Sequence, residues 1–293
     1  SSGNVTLNTT TNNFQGAVKI DGVNVTVVDA GAIDLGASTV TGTYTLTAGG
    51  AVTDSGALAI TGVTTVSAGG DVALNTVTNN FQSAVKIAAN NVEVVDAGAI
   101  DLGASTVTGT YRVTATAGGD ITNSGVLTIS GGAIFKAASG QSIYLNESNI
   151  FSSTVAFTTP SGNLANVTVR DTTDFDLAAL TLSGDLIVTS TGGSITDSGA
   201  LAITGTTTLV TSANGATIVL DTTTNAFTGA VTITTNDNDS PTDGTYAAHV
   251  TIDGGEIAAL VIGTSTIDGD LTLINGNASG ITDANEATVT VKG

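Results

Sequence analysis

The stretch VVDAGAIDLGASTVTGTY, residues 27–44, returns letter for letter at residues 94–111. The second copy lies 67 residues downstream, so one structural module is used again rather than one globular core being built once. Inside the stretch, apolar and polar residues alternate. Ile33 and Leu35 share one parity and Asp34 takes the other, which is the period of a strand with one buried face. The runs are short and end in Asp-Ala-Gly, Gly-Gly or Ser-Gly. Such residues form corners by supplying positive φ and Asx turns.

Working outward, related phrases tile the chain. VTLNTTTNNFQGAV at residues 5–18 reappears as VALNTVTNNFQSAV at 72–85 and as IVLDTTTNAFTGAV at 218–231. AVTDSGALAITG at 51–62 reappears as DITNSGVLTISG at 120–131 and SITDSGALAITG at 194–205. The pattern predicts one β-solenoid domain over 1–293, with super-repeats at 5–71, 72–141, 142–216 and 217–293. Each super-repeat is read as three coils of about 20 residues, giving about twelve rungs of a parallel β-helix. Stacked about 4.8 Å apart, twelve rungs span roughly 55–60 Å. Asp34, Asp101 and Asp176 hold equivalent places, so they are expected on one face, three rungs or about 14 Å apart. Phe14, Phe81, Phe151 and Phe227 recur once per super-repeat and are expected to plug the core under a bulged corner.

Composition narrows the function. Hydrophobic residues make up 41% and aromatics only 4%, which suits a narrow interior of Val, Ile, Leu and Ala. The formal net charge of −19 argues against nucleic acid and against an anionic membrane as partners. It also keeps an edge-rich β-protein soluble. With no cysteine there is no disulfide, no thiolate nucleophile and no Cys-ligated metal. No run approaches the roughly 18–20 apolar residues of a membrane helix. No signal peptide opens the chain, and Ser1 falls inside a repeat, so both ends are read as cut between coils.

Few residues invite chemistry. His249 is the only histidine, and TYAAHVTI alternates, which places it on a strand. The two arginines, Arg112 and Arg170, fall in different super-repeats; Lys19 and Lys86 are repeat equivalents, as surface ladder positions would be. Repeated acids mark a scaffold rather than a single site, so no enzyme is expected. The least repetitive acidic segment is NDNDSPTDG, residues 236–244, where Asp237, Asp239 and Asp243 are candidate oxygen ligands for calcium. It lacks the spacing and terminal Glu of an EF-hand. Sequons at Asn4, Asn8, Asn24, Asn146, Asn166 and Asn277 arise readily in a chain rich in Asn and Thr. Thr-x-Thr pairs such as Thr43 and Thr45 would suit ice binding if they formed one flat ladder. The phrase SGALAITG is expected to interrupt that ladder once per super-repeat.

The phrases DAGAIDLGASTVTGTY, LTAGGAVTDSGALAITG and NNFQGAVKI resemble the repeats of filamentous-haemagglutinin-type exoproteins. The resemblance implies a right-handed parallel β-helical shaft, exported by two-partner secretion and displayed at a bacterial surface. It implies an adhesive or spacer role, through contact with a host or neighbouring cell surface, glycans included. Partners are then flanking repeats of a longer chain or further copies stacked end to end, with no direct membrane insertion. The alternative is a β-helix that binds or cleaves polysaccharide.

Overall fold

The computed structural model describes residues 3–238 and 247–293. It is an all-β parallel solenoid of about thirteen turns, and the described residues contain no helix. The chain divides into two compact units, Ser1–Gln141 and Ser142–Gly293.

In the first unit the strands Val25–Asp29, Tyr44–Ala48, Thr64–Ala68 and Val85–Ala89 stack in parallel on one side. Val25 pairs with Tyr44, Tyr44 with Thr64 and Thr64 with Val85, so the coils take 19, 20 and 21 residues. Alternation does what the sequence pattern implies. Val27, Leu46, Val66 and Ile87 form one inward ladder and are essentially inaccessible. Burying each contributes about 1.5–3 kcal/mol. The residues between them face outward.

The opposite side of each coil is bent. Ile33–Leu35 and Ser38–Val40 lie beneath Val52–Asp54 and Leu58–Ile60, which lie beneath Val72–Leu74 and Asn80–Phe81. The next strand, Val92–Asp96, is the repeat counterpart of Val25–Asp29. It does not join the Val25 side. Val92 pairs with Val72, on the bent side. Correspondingly, Ile100–Leu102 and Ser105–Val107 stack on the straight strand Val85–Ala89. The super-repeat therefore holds three coils and a further half-coil, and each new copy starts on the opposite side.

The second unit is built the same way. Val167–Asp171, Leu186–Ser190, Thr207–Thr211 and Val231–Thr234 stack on one side. Val250–Asp253, the start of the next copy, pairs with Ile218–Leu220 on the other.

This half-turn changes the reading of the repeated aspartates. Asp34 sits in Ile33–Leu35 and Asp101 in Ile100–Leu102, on opposite sides of the first unit, not 14 Å apart along one face. These two repeat-equivalent charges therefore lie in different sheets of the coil stack.

The corner glycines act as expected at some corners and differently at others. Positive φ among the described residues is confined to Gly118, Gly140, Gly162, Gly215, Gly255, Gly280, Gly293 and Glu286. Gly118 closes a Gly-Gly corner and Gly140, Gly162 and Gly280 close Ser-Gly corners, as expected, whereas the glycines of residues 27–44, 51–62 and 94–111 are absent from that set. They are needed because successive corners touch: a Cβ on Gly49 would meet the carbonyl oxygen of Ala30, and one on Gly56 would meet the backbone nitrogen of Ala37.

Candidate functional site

The half-turn creates a physical problem at each copy. A straight strand must cover a bent pair, and the backbone N–H at the far end of that pair loses its ladder partner. A buried N–H left bare costs about 1–3 kcal/mol. An aspartate solves this for Phe14, Phe81 and Phe151. Asp96 is fully buried at the end of Val92–Asp96 and accepts the N–H of Phe81 at 2.7 Å and that of Gly98 at 2.6 Å. Asp29 does the same for Phe14 at 2.6 Å and Gly31 at 2.7 Å. In the second unit Asp171 accepts from Phe151 at 3.2 Å and from Thr172 at 2.7 Å. Asp253 accepts from Gly255 at 2.8 Å.

Burial opposes charge on these groups. Desolvation pushes Asp96 above the ordinary carboxylate range despite its two N–H donors. Asp171 is pushed up to about 6 by the same cause, against the hydrogen bonds it accepts.

A buried asparagine supports the preceding loop. Asn79 is wholly inaccessible; its Oδ1 accepts the Leu58 N–H at 2.8 Å, and its Nδ2 donates to Asp54 Oδ2 at 2.6 Å and to the Leu74 carbonyl at 3.2 Å. Asn225 repeats the arrangement with Leu201 and Asp197. Asp197 is raised, chiefly by burial. Neither the aspartates nor the asparagines stood out in the sequence. Parity was the available signal, since Val92, Val94 and Asp96 all point inward.

Beside two of the buried aspartates lie matching clefts. One, of about 650 Å³, is walled by Phe81, Gln82, Ile100, Asp101, Asp120 and Gln141. Its counterpart, of about 200 Å³, is walled by Phe14, Gln15, Ile33, Asp34, Ala51 and Thr53. Their outward carboxylates are used within the coil stack: Asp34 Oδ2 accepts from Ser55 Oγ at 2.6 Å, and Asp101 Oδ2 from Ser124 Oγ at 2.7 Å. Among the described residues no three His, Asp or Glu side chains converge as a metal site.

Of the calcium candidates, Asp239 and Asp243 lie outside the described residues. Asp237 is buried; its N–H donates to Asp268 Oδ2 at 3.2 Å and its Oδ2 accepts the Ala247 N–H at 2.8 Å. His249 precedes the strand Val250–Asp253 rather than lying on it, and its Nδ1 accepts the Asp270 N–H at 2.9 Å. Phe81, Phe151 and Phe227 are core plugs as expected, whereas Phe14 is only half-buried. Arg112 lies in the first unit, on Tyr111–Ala115, and Arg170 in the second, on Val167–Asp171. Lys19 and Lys86 are exposed. The sequon residues Asn24 and Asn166 use their Oδ1 atoms to accept the N–H groups of Thr43 and Asp185, in a corner ladder between coils.

These features define a parallel β-solenoid repeat protein whose buried polar groups serve its own backbone. The chain belongs to the family described as repeats of unknown function (DUF5649), whose model matches residues 22–88, 89–158 and 164–234. Neither a curated protein nor a solved structure matches it. The family's segments follow the same spacing as the super-repeat, in a frame that opens just before Val25.

Proposed function

We propose that this chain is a stiff, non-catalytic spacer of an extracellular surface protein and serves adhesion by projecting or linking what lies beyond it. The observation that carries this reading is the use made of acidic side chains. Asp29, Asp34, Asp54, Asp96, Asp171 and Asp176 each accept hydrogen bonds from their own or a neighbouring coil, holding the stack together. The strands Ile281–Asp283 and Val289–Val291 leave Ile281, Val289 and Val291 exposed. Their partner in this reading is a further coil of the same kind, from the same chain or a second copy.

Negative-stain electron microscopy with light scattering tests this. Discrete rods of solenoid width support a spacer segment. Fibres of solenoid width support end-to-end stacking of copies. Compact round particles, or release of sugars from an acidic polysaccharide, would overturn the reading.

A further inference from the structure

We infer that the straight side of the first unit is an ice-binding face. Thr6, Thr26, Thr45 and Thr65 are successive register partners and form one outward column. Val28, Thr47 and Ser67 form a second column, two residues along each strand. Strand geometry places the coils about 4.8 Å apart and the columns about 6.7 Å apart. That grid is close to the oxygen spacings on the surfaces of ice.

The interruption expected from SGALAITG does not occur on this side. Leu58–Ile60, which carries that phrase, lies on the bent side of the coil. Three further properties fit ordered water better than a protein or nucleic acid. The hydroxyls of Thr26, Thr45 and Thr65 have no partner among the described residues. β-Branching restricts each threonine at χ1, so its methyl and hydroxyl sample few orientations. In a chain of formal net charge −19, neither column carries a charged residue over these four coils, and Lys86 marks where the pattern stops. Ice rejects ions, so an uncharged face in so charged a chain is the relevant contrast.

The test uses the full chain in ice-recrystallisation and ice-uptake assays, with Thr45→Tyr and, on the opposite side, Thr114→Tyr; thermal melts confirm that both variants fold. Wild type should slow recrystallisation and enter growing ice, Thr45→Tyr should lose at least tenfold in potency, and Thr114→Tyr should keep it. Exclusion of the wild type from ice would overturn the assignment. Equal potency in Thr45→Tyr, or equal loss in both variants, would also overturn it. Rod dimensions by microscopy are independent of either result.

Discussion

The carboxylate of Asp96 accepts the backbone N–H of Phe81 at 2.7 Å, joining the start of one repeat copy to the loop of the copy before it. Both groups are buried, so neither finds water if the other is removed. Asp96→Ala leaves the Phe81 and Gly98 donors bare and should cost about 2–4 kcal/mol, judged from hydrogen bonds to a charged acceptor. Asp96→Asn keeps one acceptor oxygen and should cost less. Guanidinium unfolding of the two variants checks the order.

Acid should stabilise this protein over a defined window. Asp171 is pushed up to about 6 by burial, against an ordinary value of 3.8. Between those values the folded state holds a proton that the unfolded state lacks, so stability falls as pH rises from about 4 to 6. Above 6 the carboxyl is charged in both states and the burial penalty is complete. The melting temperature should therefore rise from pH 7 to pH 5. Relief of repulsion in an acidic chain acts in the same direction, so the diagnostic is Asp171→Asn, which should flatten part of the slope. An unchanged slope in that variant would remove Asp171 from the explanation.

Asn79 offers a sharper electrostatic test. Its Nδ2 lies 2.6 Å from Asp54 Oδ2, and the residue is inaccessible to solvent. Asn79→Asp replaces a donor with a second carboxylate and should destabilise strongly at pH 7. The loss should shrink as pH drops and one acid takes up a proton. A pH-independent loss would point to packing instead.

How much of this was written in the sequence depends on the level considered. Parity in AIDLG and in the strands around it was enough for the inward ladders, because a residue such as Leu35 has only one favourable side. The half-turn was not legible. A 67-residue period divides easily into three coils of about 22, yet the coils from Val25 to Val85 take 19, 20 and 21 residues. Corners vary in length at little energetic penalty, so residue types do not record where a coil closes. The buried aspartates stayed hidden for another reason. An acid on an inward parity is normally a sign of wrong register, and the N–H groups of Phe81 and Gly98 make it favourable at Asp96. Glycine was read for conformational freedom, whereas Gly56 is required by the closeness of Ala37.

That distinction can be measured. A Cβ on Gly56 would collide with the backbone of Ala37, whereas one on Gly16 meets nothing within 4 Å. Gly56→Ala should destabilise by about 1–3 kcal/mol through overpacking. Gly16→Ala should be neutral or stabilise by up to about 1 kcal/mol through the unfolded chain. Similar effects at both sites would mean that corner contact is not what selects glycine.

The half-turn itself predicts which cysteines can be joined. Thr65 pairs with Lys86, so Thr65→Cys with Lys86→Cys brings two Cα atoms to strand spacing of about 4.8 Å, within disulfide range. Glu93 is the repeat counterpart of Thr26, and a solenoid with a whole number of coils per copy would keep both on one side. Instead Glu93 pairs with Ala73 on the other side. Ala73→Cys with Glu93→Cys should therefore oxidise readily, while Thr65→Cys with Glu93→Cys should stay reduced in the folded protein. Non-reducing electrophoresis after mild oxidation, with a peptide map to locate the bond, reads the difference. A bond between positions 65 and 93 would require copies that begin on the same side, and the aspartate clamp at Phe81 would then have no place in the structure.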